Sequence, residues 1–266
     1  MILIIKTIFV YLYAISIKLI FMEYKKMKLE ERTVASFVTE NYKTADIFKK
    51  YNIDFCCGGG VSLNNICETK QLDLNKIVNE LENIMKIDQV DTVDYDSWEL
   101  DKLANHILDK HHTYIREASP TLNPYLLKLR KVHGENHPEL IKIQELFFKL
   151  SSDLDNHLLK EENILFPYIL KLYKASLEKD SNKGEFFGTI KNPITCMKSE
   201  HDTAGDEIKE IRFLTNNYTV PADGCNTYRV AFKKLEEFEA DLFTHIHLEN
   251  NILFPKAIEL ENKLTK

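Results

Sequence analysis

Two segments of the sequence, residues 157–167 and 245–255, share a pattern of residues that can hold a metal ion. Each reads H-x-x-x-E, followed by two polar residues and then I-L-F-P. Residues four apart lie on the same face of a helix, so each His points in the same direction as its Glu. Each segment therefore predicts a two-ligand clamp on a helix, and the proline after it is expected to end or kink that helix.

A single histidine precedes each clamp by the length of a helical hairpin, His112 before His157 and His201 before His245. The pattern of a single histidine followed by a clamp thus occurs twice. Four helices would then bring together four imidazoles and two carboxylates. The predicted ligands are His112, His157, Glu161, His201, His245 and Glu249. Two metal ions that share bridging carboxylates would use all six, and imidazole with carboxylate in a bundle core suits iron, manganese or zinc.

Taken one at a time, these residues have a simpler interpretation. A lone H-x-x-x-E on a helix is usually a solvated pair, and a single buried His usually hydrogen-bonds to a neighbour. The duplication favours the metal site. Apolar residues on the same helix place His157 and Glu161 on an inward face, and they are Leu150, Leu154, Ile164 and Leu165. Unpaired charges would be costly there, and a bound metal removes that cost.

Two acidic residues near the predicted ligands are open to two interpretations. Asp153 lies one turn before His157, and Glu200 adjoins His201. Either is a candidate to orient an imidazole or to line a route for protons and iron, and either is equally interpretable as a solvated side chain. The histidines predicted not to be ligands are His106, His111, His133, His137 and His247. Of these, His247 is expected to point to another side of its helix.

The sequence predicts an all-α fold, since Gly and Pro are sparse and apolar residues recur at helical spacing. Residues 30–90 predict a small helical domain, with Thr44 and Asp73 as helix N-caps. Residues 91–266 predict an up-down four-helix bundle, which follows an acidic linker. Loops in the bundle are predicted at residues 120–124, 133–138, 180–193 and 216–226.

The five cysteines do not predict a disulfide framework, because their number is odd and their spacing irregular. They are Cys56, Cys57, Cys67, Cys196 and Cys225. We interpret them as reduced thiols and predict a cytoplasmic location. Cys56 and Cys57 stand directly before three glycines, which disfavour helix. Adjacent thiols at such a turn indicate a redox or iron-handling pair, the alternative being small packing residues.

The composition is that of a globular protein with a core, 44% hydrophobic and 29% charged. The net charge of −6 and the lack of a long Lys/Arg run argue against a nucleic-acid-binding protein.

Residues 1–29 form either a hydrophobic leader or an extension upstream of the true start. The apolar run of residues 7–17 lies between Lys6 and Lys18 and is short for a membrane span, which needs about 20 residues. Three interpretations stay open: a start at Met22 or Met27, a short membrane anchor, or a signal peptide, although no small-residue cleavage site is evident. A membrane is an expected partner only if the leader is real.

The bundle segment resembles the hemerythrin family, whose H-x-x-x-E clamps likewise end in F-P. Residues 51–59, Y-N-I-D-F-C-C-G-G, resemble the N-terminal Cys-Cys-Gly-Gly domain of the iron–sulfur cluster repair di-iron proteins. The resemblance covers roughly residues 30–262, with both parts in the family's order, and Gly60 and the leader depart from it. It implies a hemerythrin-like bundle with two iron ions, held by the six ligands above and joined by carboxylate and oxo bridges.

The same resemblance implies a role in restoring iron–sulfur clusters after nitric oxide or oxidant damage. Damaged iron–sulfur proteins would be the partners, and iron donation or the handling of nitric oxide the activity. Whether the chain reduces nitric oxide as an enzyme stays open, as does a homodimer. The alternative is a hemerythrin-type carrier or sensor of dioxygen, which has no need of a Cys-Cys-Gly-Gly domain. A ferritin-like oxidase would instead use Glu and Glu-x-x-His ligands.

Overall fold

The computed structural model describes residues 29–87, 93–178 and 189–265. The chain divides into two compact units, Met1–Asp94 and Tyr95–Lys266. Within the described residues the chain forms helices joined by turns, with one isolated bridge between Thr33 and Ser62. The predicted all-α class is confirmed. The leader predicted at residues 1–29 lies, apart from Leu29, outside the described residues.

Four helices of the first unit close around a small apolar core. The helices are Val34–Glu40, Thr44–Lys50, Leu63–Lys70 and Leu74–Ile87. Two begin at a hydroxyl cap: Thr33 accepts from the backbone N–H of Ser36, and Ser62 accepts from that of Asn65. Large side chains of the core are fully buried and include Phe37, Phe48, Leu63, Ile77 and Leu81.

Of the two N-caps predicted in this unit, Asp73 is found and Thr44 is not. Asp73 Oδ1 accepts from the N–H of Lys76 at 3.1 Å. Thr44 is already the first residue of its helix, and its hydroxyl donates to the carbonyl of Asn41 at 2.7 Å. The Asn41 side chain accepts from the N–H of Lys43 at 3.0 Å, so Asn41 supports this helix start in place of Thr44.

Four long bundle helices form the second unit, and a π-helical turn interrupts three of them. The first bundle helix consists of Leu100–His106, the π turn Ile107–His112 and Thr113–His133. The second consists of Glu139–Lys160, the π turn Glu161–Leu165 and Phe166–Glu178. The third is Lys191–Leu214, and the fourth consists of Asn226–Leu248, the π turn Glu249–Leu253 and Phe254–Leu264. The first packs against the second and fourth, and the second against the third.

The predicted loop at residues 120–124 is wrong, because these residues lie inside the helix Thr113–His133. Pro120 and Pro124 are exposed and four residues apart, so both lie on the solvent face of the helix. Carbonyl groups that lose their N–H partner at a proline can bond to water there. Leu122 and Leu126 are buried on the inner face and keep the helix packed.

A buried carboxylate links the last helix to the start of the third bundle helix. Glu261 accepts hydrogen bonds from Tyr168 Oη at 3.1 Å, from Thr189 Oγ1 at 2.6 Å and from the N–H of Ile190 at 2.8 Å. Ile190 precedes the first residue of the helix Lys191–Leu214, so this carboxylate binds the end of the helix at which N–H groups are unpaired.

No helix among the described residues is both long enough and apolar enough to cross a membrane.

Candidate metal centre

Six buried residues meet in the core of the bundle as two overlapping groups. One group is His112, Glu161, His245 and Glu249, and the other is His157, Glu161, His201 and Glu249. Within each group, one ligand atom from every residue lies within 4.8 Å of the others. Glu161 and Glu249 belong to both groups. The structure therefore brings together all six residues that the sequence pattern selects, with two carboxylates shared between two sets of imidazoles.

The imidazole nitrogens and carboxylate oxygens approach one another closely. His112 Nε2 lies 3.4 Å from Glu161 Oε2, and His245 Nε2 lies 3.2 Å from Glu249 Oε1. Among the described residues, neither oxygen of Glu161 or Glu249 has a partner with hydrogen-bond geometry, and the same holds for these two nitrogens. Buried polar atoms are normally paired. Orphaned lone pairs that converge in a dry core fit a bound cation, and imidazole with carboxylate suits a first-row transition metal.

Burial and the buried carboxylates act in opposite directions on the pKa of the imidazoles of His157 and His245. Burial opposes protonation of His157, but the charges of Glu161 and Glu249 outweigh it and raise its pKa to about 9. Burial also works against ionisation of Glu249, yet His245 and His201 hold the pKa of this carboxyl well below its usual range. At His245 burial dominates and lowers the pKa. A cation that binds here must displace protons from histidine, so metal binding will release protons.

The three π turns in the described part of the bundle each contain a candidate ligand at one end. Ile107–His112 ends at His112, while Glu161–Leu165 and Glu249–Leu253 begin at the two shared carboxylates. Single π turns inside α-helices often mark functional sites. The proline after each clamp was predicted to end or kink the helix. Neither helix ends there, because the chain continues as Phe166–Glu178 and Phe254–Leu264. Each proline falls in the first turn after the π segment, where a missing N–H is tolerated.

Neighbouring polar groups hold the outer nitrogen of three of the imidazoles. His112 Nδ1 lies 2.8 Å from Glu162, and His201 Nδ1 lies 3.0 Å from Asn250. Such contacts fix the orientation of a ligating imidazole. Sequence reasoning missed both partners, although each directly follows the glutamate of a clamp. The third contact joins His157 Nδ1 to Glu200 at 2.9 Å, one of the two acidic residues that the sequence left open.

His111 was predicted not to be a ligand, and it is fully buried beside the six candidate ligands. Its Nδ1 lies 2.9 Å from Asp241 Oδ1, and its ring stacks on His245 with centroids 5.8 Å apart. His111 is in neither ligand group found among the described residues. Consecutive residues of an α-helix point about 100° apart. The π turn departs from that geometry, and both His111 and His112 are buried.

The other four histidines lie apart from the ligand groups formed by the described residues. They are His106, His133, His137 and His247. His106 packs against the rings of Tyr95 and Trp98, and His247 Nδ1 lies 3.2 Å from the amide of Asn251. His133 and His137 both contact the ring of Tyr228.

A cavity of about 560 Å³ opens beside the group that contains His157 and His201. Glu200 and Lys160 line it as a hydrogen-bonded ion pair, and Asp153 lines it as well. His157 and His201 themselves line the cavity, and Glu200, which holds His157 Nδ1, is a charged residue of its wall.

The two adjacent thiols lie in a turn of the first unit, between the helices Thr44–Lys50 and Leu63–Lys70. Their sulfur atoms are 3.8 Å apart, and the backbone N–H groups of Cys56 and Cys57 both donate to Asp54 Oδ1. The carboxylate of Asp54 is in contact with Cys56 Sγ at 3.3 Å, so ionisation of that sulfur is not favoured.

The glycines after the thiols have different roles. A Cβ atom on Gly59 would lie 2.3 Å from the carbonyl oxygen of Phe55 and 2.9 Å from Cβ of Ala35. The N–H of Ala35 donates to the carbonyl of Gly59 at 2.8 Å, so the turn packs directly on the first helix. A Cβ atom on Gly60 would meet open space. Packing therefore requires Gly59 and not Gly60.

Residues 103–257 match the family model described as the hemerythrin HHE cation binding domain. Residues 30–85 match a second family model, described as a domain of unknown function, DUF542. The bundle with its His–Glu clamps therefore defines a hemerythrin-type cation-binding protein, and the predicted hemerythrin-like fold is confirmed.

Several proteins that are named as iron–sulfur cluster repair proteins match most of the chain. The iron-sulfur cluster repair protein ScdA of Staphylococcus haemolyticus is 33% identical over 230 residues, which cover 86% of this chain and 99% of that protein. A probable iron-sulfur cluster repair protein of Haemophilus influenzae is 36% identical, covering 80% and 90%. The YtfE protein of an Enterobacter species, named likewise, is 32% identical, covering 87% and 99%. The chain belongs to this family of iron–sulfur cluster repair proteins, and the predicted resemblance is confirmed.

Proposed function

We propose that the bundle holds two iron ions and that the protein uses them in the repair of damaged iron–sulfur clusters. The observation that supports this best is the pair of ligand groups that share Glu161 and Glu249. His112 and His245 would hold one ion, His157 and His201 the other, and the two carboxylates would bridge them. Bound iron would supply redox chemistry and a place for small ligands such as nitric oxide.

The protein's own residues would orient the ligands and keep them dry. Glu162, Glu200 and Asn250 hold the outer nitrogens of three imidazoles, which leaves the inner nitrogens directed at the ions. The cavity beside His157 and His201 supplies the space through which a small ligand or an iron ion would pass.

Loss of a shared carboxylate should lower the iron content of the protein. Glu161→Ala and Glu249→Ala are each expected to bind fewer than the roughly two ions per chain expected of the unaltered protein, because each carboxylate would serve both ions. The measurement is metal analysis with Mössbauer spectroscopy on protein purified without a chelator. His106→Ala is the matched control and should keep its iron. Full iron content in both glutamate variants, or an empty site in His106→Ala, would contradict the ligand assignment.

Two observations support the proposed repair role: the names of the chain's relatives and the thiol pair of the first unit. A damaged iron–sulfur protein would be the partner, and Cys56 and Cys57 would handle iron or nitrosyl groups during the exchange. A dioxygen carrier is not favoured, because oxygen transport does not require the first unit with its pair of thiols.

A double variant tests the thiols separately from the bundle. Cys56→Ser with Cys57→Ser should keep its iron, because neither residue belongs to the ligand groups. It should lose most of the ability to restore the activity of a nitric-oxide-damaged iron–sulfur enzyme. Cys196→Ser serves as the control and should repair normally. Full repair by the double variant would remove the thiols from the mechanism.

A further inference from the structure

The two adjacent thiols of the first unit are not equivalent. Cys56 is 2% exposed, whereas Cys57 is partly exposed. Their sulfur atoms are 3.8 Å apart. A reagent or partner that approaches from solvent therefore meets the sulfur of Cys57 first.

A single carboxylate oxygen organises both residues. Asp54 Oδ1 accepts from the N–H of Cys56 at 2.9 Å and from the N–H of Cys57 at 3.0 Å. The same oxygen lies 3.3 Å from Cys56 Sγ, which donates to it. Three donors on one oxygen fix the turn and direct the Cys56 thiol toward the carboxylate.

The surroundings of Cys56 favour the thiol over the thiolate. Its hydrogen bond to Cys57, its burial and the charge of Asp54 together raise the pKa of Cys56 well above its usual value. A thiolate is the reactive form of cysteine, so Cys56 is the less reactive of the two sulfurs on grounds of both access and charge.

We propose that Cys57 is the thiol that reacts first and that Asp54 is a positioning residue, which keeps Cys56 oriented and protonated as the second thiol. The inference rests on the proposed role of this pair in repair and assigns an order to it. Asp54 acts through the sulfur of Cys56 and through the two N–H groups.

Alkylation of the full chain by iodoacetamide tests the order without any repair assay. The sulfur forms a bond to carbon, iodide leaves and the thiol proton passes to the buffer. Fragment mass spectrometry locates the label. At pH 7.5 Cys57 should be labelled about tenfold faster than Cys56. Equal rates, or faster labelling of Cys56, would overturn the proposal.

Asp54→Asn tests the positioning role, because asparagine keeps an oxygen for the two N–H groups and removes the charge. In a Cys57→Ser background, the pH midpoint for labelling of Cys56 should fall by about one unit when Asp54→Asn is added. Asp46→Asn, an exposed change in the same unit, should leave the midpoint where it was. An unchanged midpoint in Asp54→Asn would show that the carboxylate does not control Cys56.

Cys67 reports on the folding of the variant within the same experiment. It is 2% exposed, so it should resist labelling as long as the unit is folded. If Asp54→Asn also exposes Cys67, the labelling order in the unaltered chain decides the question. Full repair by the double variant Cys56→Ser, Cys57→Ser, together with the expected labelling order in the unaltered chain, would reject the proposed role of the thiols in repair and leave their order of reaction standing.

Discussion

One exposed thiol of the bundle, Cys225, lies among groups that favour its ionised form. Its sulfur lies 3.3 Å from His133 Nε2, directly before the helix Asn226–Leu248. The hydrogen bond from His133, together with the backbone N–H groups of Tyr228 and Thr227, lowers the pKa of this thiol to about 7. About half of Cys225 is therefore thiolate at neutral pH.

Cys225 should react with iodoacetamide faster than the other exposed thiol, Cys196. Burial and the nearby Glu200 carboxylate raise the pKa of Cys196, so little of it is thiolate at pH 7. We expect a rate ratio of about ten or more at pH 7, measured by mass spectrometry of the two labelled peptides. Labelling of Cys225 should slow as the pH falls below about 7, because its thiolate is then protonated.

His133→Ala should slow the labelling of Cys225 at pH 7 and shift its midpoint to higher pH. His137→Ala is the control, since His137 bonds to Glu139 and Asp223. Equal effects of the two changes would show that the imidazole of His133 does not set the reactivity of the thiol.

The sequence predicts which residues are candidate ligands, but it does not predict which residues contact them. His157 and Glu161 are recognisable because a four-residue spacing fixes a shared helix face whatever the tertiary fold. Glu162 and His111 are not recognisable in this way. Their positions depend on where the π turns fall, and hydrophobic periodicity assumes an unbroken α-helix.

At the scale of elements, Glu261 of the last helix stabilises the packing of three bundle helices. It accepts from Tyr168, Thr189 and Ile190, and so joins the second and fourth bundle helices to the start of the third. Glu259, on the same helix Phe254–Leu264, is exposed and pairs with Lys263.

Glu261→Ala should lower the free energy of unfolding by about 2–4 kcal/mol, because it leaves buried donors without an acceptor. Glu259→Ala should change it by less than about 0.5 kcal/mol. Urea unfolding followed by circular dichroism measures both. A similar small loss in the two variants would mean that water replaces the Glu261 carboxylate.

Elements whose signals are local were predicted well, and those that depend on context were not. The turns after His133 and after Leu214 lie within the predicted loops, since polar and turn-forming residues mark them. Pro120 and Pro124 misled the prediction, because their effect depends on which helix face they occupy. Thr44 failed as a cap because a second capping residue, Asn41, stands three positions earlier.

At the scale of the whole molecule, all six candidate metal ligands found among the described residues lie in the bundle. Tyr95 belongs to its core and the partly buried Trp98 packs against it, with ring centroids 4.9 Å apart. The predicted division into a small helical domain and a bundle rests on an acidic stretch that separates two different residue patterns.

A chain that begins at Asp94 should fold and bind as much iron per molecule as the full chain, since the six ligands and their core are all present. A chain that begins at Trp98 lacks the buried ring of Tyr95 and should lose about 2–3 kcal/mol of stability. Metal analysis and thermal unfolding of the two shortened chains, beside the full chain, measure these effects. An iron-free chain from Asp94 would show that the first unit is needed for loading.

The π turns determine where along the bundle helices a change in length can be absorbed. A π turn holds one residue more than the α turn it replaces, so the helix beyond it is rotated by about 100° relative to an uninterrupted helix of the same residues. Deleting one residue within Glu249–Leu253 would therefore let an ordinary α turn form while Phe254–Leu264 keeps the same face toward the bundle. The same deletion in the helix outside the π turn would rotate that segment by about 100° and remove Glu261 from its three donors. Loops usually absorb such changes in length, but here three positions inside helices have room for the change of one residue.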